Sequence, residues 1–303
     1  MLISDPLVFI ELQKTGSTHI KGLLKKIVGG TNDGKHNVPT AELLAAGKPF
    51  IGSVRDPWSW YLSLWSYGCL QKGELYERLT NPKKWRKLLE KGEGEGEGEG
   101  TDDDAADEPA ADETASEAGA APAKADAGKG KGKTLPPEFT PERAKSFWYA
   151  DPDNAEAFRE WLRAVLAVQP LRKVLEAGYG KSPVSKLGGL MTFRYFTLFT
   201  RGGEQIDKSV ATHEALKKYD ADNCFVAHFV RNESLAEDLI KAIEGCGVAL
   251  GDEQLQMIRG AKKTNVSNRP HGPEHYYDAA STQLVARRER FIIEKFGYKD
   301  KKP

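Results

Sequence analysis

An apolar run from Leu7 to Leu12 stops at the turn Lys14-Thr15-Gly16-Ser17-Thr18. It restarts at once as a helix with Ile20, Leu23, Leu24 and Ile27 at three- and four-residue spacing. A short, unbroken apolar run fits a strand buried on both faces of a parallel sheet. A strand that feeds directly into an amphipathic helix commits the chain to alternating α/β layers. Gly29-Gly30 ends the helix. The alternation continues with a short helix capped by Thr40 and a strand in "PFIGSV". "DPWSWYLSLWSYG" follows as a helix with Asp56 as N-cap, Pro57 at the first helical position and Gly68 as its stop. Further on, "FTPERAKSF" and "NAEAFREWLRAVLAV" read as helices, "CFVAHFVR" as a core strand and "NESLAEDLIKAIEGCG" as the helix behind it. A last helix runs from about Asp278 to Phe296, and "MTFRYFTLFT" from Met191 fits either a strand or a buried helix. The pattern predicts one α/β domain over residues 1–303, of P-loop type, with a central parallel β-sheet flanked by helices.

One stretch does not belong to that core. From Gly92 to Lys133 there is no aromatic residue and no Val, Ile, Leu or Met. Such a segment cannot bury enough apolar surface to offset chain entropy, so residues 92–135 are expected to form a disordered acidic low-complexity insertion in a surface loop. It carries 13 acidic and 4 basic residues, a net of −9. With 44 residues of each sign in the whole chain, the remainder is basic by the same amount, which suits anionic ligands.

Cys69, Cys224 and Cys246 are widely spaced, so neither a zinc site nor a disulfide framework is expected. "PLVFIEL" is too short for a signal segment or a membrane span, and no later stretch reaches 18 apolar residues. A cytoplasmic location without a membrane span is expected, and no nucleic-acid partner.

The loop "QKTGST" carries the first piece of chemistry. Gly16 permits a tight turn, and the N–H groups of Gly16, Ser17 and Thr18 at a helix start form an anion site. Lys14 adds a full charge, and the Ser17 and Thr18 hydroxyls add donors. The triphosphate pattern G-x-x-x-x-G-K-[ST] is absent, because here the lysine precedes the glycine. The second piece is Arg55 at a strand end, with Ser63 eight residues later on a helix face that can look back at it. A guanidinium fork plus a hydroxyl suits a second phosphate. Two anion sites at the carboxyl ends of two strands of one sheet lie where α/β folds bind ligands.

"KTGST" after a strand, followed by "RDP" and a serine eight residues after the arginine, resembles the cofactor signature of the sulfotransferases that use 3'-phosphoadenosine-5'-phosphosulfate. "FVRNESLAEDL" resembles the family's strand-to-helix turn, and "KTNVSNRPHGPEHYYD" with the final "FGY" helix resembles the tail of its carbohydrate branch. The resemblance implies that Lys14, Thr15, Gly16, Ser17 and Thr18 hold the 5'-phosphosulfate and that Arg55 and Ser63 hold the 3'-phosphate. It implies that Lys263, Asn265, Ser267 and Arg269 form a loop over the 3'-phosphate end, and that no metal is required. Many relatives carry a second arginine five residues after the first, where this chain has Trp60. The implied reaction moves a sulfuryl group to an acceptor hydroxyl. The tail favours a glycan, while a lipid or small molecule fits equally.

Lys14 is then the group for the leaving phosphate. His36, 19 residues before Arg55, is the expected general base, near the place of a histidine base in the uronyl branch and with an ordinary imidazole pKa. Glu11 is the carboxylate runner-up and His19 a weaker candidate. His271 and His275 are spaced like a metal pair, but Pro270 and Pro273 disfavour a helix there and no third ligand is evident. "SFWYADP" and "MTFRYFTLFTR" read as core more than as an acceptor cleft. A P-loop kinase or a non-catalytic nucleotide-binding module are the competing readings. The first should show the triphosphate motif and an acidic metal ligand.

Overall fold

The computed structural model describes residues 1–83, 85, 139–167, 171–262 and 271–299. The expected insertion at 92–135 lies outside the described residues.

The sheet has five strands in the order β3-β1-β2-β4-β5. These are β1 (Leu2–Ile3), β2 (Val8–Ile10), β3 (Thr31–Asn32), β4 (Phe50–Val54) and β5 (Val226–Arg231). β2, β4 and β5 are parallel, as expected for crossover connections through helices. The sheet is nevertheless mixed and not purely parallel, because β1 pairs antiparallel with both β2 and β3. The reason is local. β1 turns straight back into β2 through Ser4, whose hydroxyl donates to Leu7 O at 2.7 Å, and so short a link allows only an antiparallel neighbour.

Alternation along β2 divides the core in two. Val8 and Ile10 face one apolar cluster and Phe9 the other, and all three are fully buried. The Phe9 side is covered by α1 (Ser17–Val28) and by a helix Leu235–Gly245. The opposite side is larger and aromatic. It is covered by α3 (Pro57–Cys69), which follows the short α2 (Ala41–Ala45), and by the segments after residue 139. α1 and α3 begin as expected, and Asp56 Oδ1 accepts from Trp58 N at 3.2 Å, capping α3. α4 (Glu74–Thr80) follows, and "NAEAFREWLRAVLAV" forms α5 (Ala155–Ala167).

The ambiguous segment is α6 (Leu190–Phe199), with every residue but one buried. A helix apolar on all sides has no period to betray it in sequence. α7 (His213–Asn223) precedes β5, and α8 is the Leu235–Gly245 helix. The expected final helix is two, α9 (Ala279–Arg288) and α10 (Arg290–Phe296), broken at Glu289. Glu289 is fully buried and turns inward to cap α6, accepting from Met191 N at 3.2 Å, Thr192 N at 2.9 Å, Thr192 Oγ1 at 2.6 Å and the Tyr61 hydroxyl. Burial pushes its carboxyl up, against the pull of those donors. Glu289→Ala strands several buried donors at once, so unfolding in urea should show a loss of about 3 kcal/mol with little change in slope.

In "SFWYADP" Trp148 and Tyr149 are buried in the core, while Ala150, Asp151 and Pro152 are exposed and Pro152 lines the cleft described below. The three cysteines are free, and burial pushes the Cys69 and Cys246 thiols up to about 12 and about 11. Among the described residues no helix is long and apolar enough to cross a membrane.

Candidate functional site

Because β2, β4 and β5 are parallel, the loops that follow them, around residues 11–16, 55–56 and 232–234, emerge at the same sheet edge. A cleft of about 820 Å³ opens there. Lys14, Gly16, Ser17, Thr18, His36, Arg55 and Ser63 all line it, so the two sequence-predicted anion sites share one cavity.

Gly16 sits at φ 83°, in the left-handed region, as the N-cap of α1. That turn leaves the N–H groups of Gly16, Ser17 and Thr18 outside the helical ladder, where a ligand can accept from them. A Cβ at this position would meet Asn232 Nδ2 at 2.6 Å, which adds a packing reason for glycine. Asn232 Nδ2 donates to Thr15 O at 3.2 Å and so ties the loop to the end of β5. The Thr15 side chain is fully buried. Its hydroxyl donates to Leu12 O at 2.7 Å and lies 2.6 Å from Ser53 Oγ, so it braces the loop against β4 and is not among the cleft-lining residues.

Lys14 is itself left-handed, at φ 62°. Holding a non-glycine residue there costs about 1 kcal/mol, and such strain gathers at functional sites. Its Nζ stands 3.8 Å from the centre of the Tyr67 ring, a cation–π contact. Burial, with the Arg55 guanidinium nearby, lowers its ammonium to about 8. Arg55 donates from NH1 to Lys14 O at 3.1 Å. Ser63 is largely buried on α3.

His36 is the third such residue of interest, at φ 59°. Its Nδ1 lies 2.8 Å from Glu11 O. A carbonyl only accepts, so Nδ1 carries the proton and Nε2 is the basic nitrogen. Burial lowers the imidazole below its usual value, with the bond to Glu11 O opposing that and Arg194 adding to it. The expected ordinary pKa is thus corrected downward. Glu11, the runner-up base, is buried between the Met1 amino group at 2.9 Å and Lys21 Nζ at 3.0 Å. Burial alone would raise its carboxyl, but these two partners outweigh it and hold it below the usual range, which makes it a weak base.

Lys263, Asn265, Ser267 and Arg269 lie outside the described residues. His19 also lines the cleft. The His271 and His275 rings lie 4.1 Å apart, and His275 Nε2 is 3.0 Å from Asp153 O. Among the described residues no group of three or more His, Cys, Asp or Glu side chains is placed to hold a metal ion.

Sequence reasoning missed Gln13, Tyr67, Lys72 and Asn232 as cleft residues. It also missed the work of Trp60, whose Nε1 donates to Gln13 O at 2.7 Å, so the residue in the second-arginine position anchors the anion loop. Position alone could have flagged Gln13 and Asn232, each the residue just beyond a strand or beside the anion loop.

Comparison with family models, with curated proteins and with solved structures finds no match for this chain.

Proposed function

We propose that the chain is a sulfotransferase that uses 3'-phosphoadenosine-5'-phosphosulfate. The observation that carries this reading is the single cleft shared by the Lys14–Thr18 loop and the Arg55–Ser63 pair. A donor with phosphate groups at both the 3' and 5' positions needs two separate anion receptors in one cavity. The loop N–H groups and Lys14 take the 5' end, and Arg55 with Ser63 takes the 3'-phosphate.

In the proposed reaction an acceptor hydroxyl gives its proton to His36 Nε2. Its oxygen forms the new S–O bond as the bridging S–O bond to the phosphate breaks, and adenosine 3',5'-bisphosphate leaves with both bond electrons. Lys14 stabilises the charge that grows on that leaving oxygen. The acceptor is a glycan, lipid or small-molecule hydroxyl.

Arg55→Ala tests the assignment by calorimetry. Affinity for adenosine 3',5'-bisphosphate should fall by about 1.5–3 kcal/mol, the worth of a charge-assisted contact, while that for adenosine 5'-phosphate changes little. Equal weakening of the two ligands would sink the two-receptor reading.

A further inference from the structure

Gln13 directly precedes Lys14 in the chain and is held from two sides. Trp60 Nε1 binds its backbone carbonyl at 2.7 Å, and Arg194 NH1 donates to its side-chain Oε1. Arg194 is a buried residue of α6, itself fixed by Glu176. A guanidinium only donates, so the amide atom facing it must be oxygen. The NH₂ arm of Gln13 is thereby assigned to the other side, and it makes no hydrogen bond among the described residues. Gln13 lines the cleft together with Lys14 and His36. Glu11, which also lines the cleft, is held by the Met1 amino group and Lys21.

We infer that the Gln13 amide donates to the sulfuryl oxygens of the bound donor, and that Arg194 is the positioning residue that sets its rotamer. This rests on the proposed function. In an in-line transfer the groups lie in a row: the phosphate at the α1 N-terminus, then the sulfuryl group, then the acceptor oxygen, then the base. In chain order the cleft residues run from Ser17 and Gly16, through Lys14 and Gln13, to Glu11, whose carbonyl holds His36. Gln13 falls at the sulfuryl position, where three charged oxygens need donors that are aligned beforehand. An amide whose oxygen is pinned by a buried guanidinium has its N–H bonds already directed.

Adenosine 3',5'-bisphosphate and the phosphosulfate differ in the sulfuryl group alone, so the ratio of their affinities reads this contact. Gln13→Ala should bind the bisphosphate within about twofold of the parent protein and the phosphosulfate about tenfold more weakly, the worth of one hydrogen bond to a charged group. Arg194→Met should lower the same ratio, and adding it to Gln13→Ala should lower it no further, because Arg194 acts through Gln13. A merely structural Arg194 would weaken both ligands together and leave the ratio unmoved. An unchanged ratio in Gln13→Ala overturns the inference alone. Failure of the parent protein to bind either nucleotide overturns it together with the reading on which it rests.

Discussion

Replacement of His36 by alanine is expected to cut turnover by about 10²–10⁴ while leaving affinity for adenosine 3',5'-bisphosphate within a few-fold. The separation follows from where the side chain is fixed. Its Nδ1 is held by the Glu11 carbonyl, which leaves Nε2 as the basic nitrogen, and the receptors proposed for the nucleotide are other cleft residues, Lys14, Gly16–Thr18, Arg55 and Ser63. The left-handed backbone of His36 offers a control. His36→Gly removes the imidazole and the strain together, so it should lose turnover like alanine but be more stable than the alanine variant. Burial places the imidazole below its usual pKa, and only the neutral form is a base. The rise of rate with pH should therefore have its midpoint below the ordinary imidazole value of about 6.5 in the parent protein and be missing from both variants. A His36→Ala protein that turns over at the parent rate rules the base out.

Lys14→Ala should lose binding and rate together, with affinity for the bisphosphate down about 10–100-fold and turnover down about 10²–10³. The pH dependence gives this residue its own signature. Free Lys14 titrates near 8, and a bound anion favours its charged form. Binding above that pH must then take up a proton. Affinity should be level below pH 8 and fall by up to tenfold per unit above it, until the bound ammonium also titrates. With the His36 limb below 6.5, kcat/KM should plateau near neutrality and decline above pH 8. In Lys14→Ala the alkaline decline should vanish. Its persistence would assign that limb elsewhere.

What could be read in the sequence was what neighbours in the chain decide. Leu7 to Leu12, Gly16 and the α1 spacing defined a strand, a turn and a helix, and Asp56-Pro57 marked the start of α3, because caps and periods are local. The pairing of β1 with β2 and β3 was not legible, since two-residue strands carry no alternation. α6 gave no period because it is buried all round. The shared cleft was inferred from two motifs, but its finer parts depend on contacts between distant residues. Arg194 reaches Gln13 across 181 positions, and Asn232 reaches Thr15 across 217. Nothing in the sequence marks Tyr67 or Lys72, and only the fold sets Tyr67 under the Lys14 ammonium and Lys72 on the same cleft.

The ties that hold α3 have a bearing on biosynthesis. Trp58 Nε1 donates to Thr282 O at 3.1 Å, Tyr277 OH donates to Trp58 O at 2.8 Å, and Tyr61 bonds to Glu289. The helix that carries Ser63 is thus anchored by residues more than 200 positions downstream. Contacts of such separation form late, after the largest loop has closed. A ribosome that has made the whole Lys14–Thr18 loop and Arg55 still holds an unfinished cleft. The nascent chain gains its cleft only when the segment 277–289 has emerged, so an incomplete translation product lacks the formed cleft even though it contains nearly all the residues that line it.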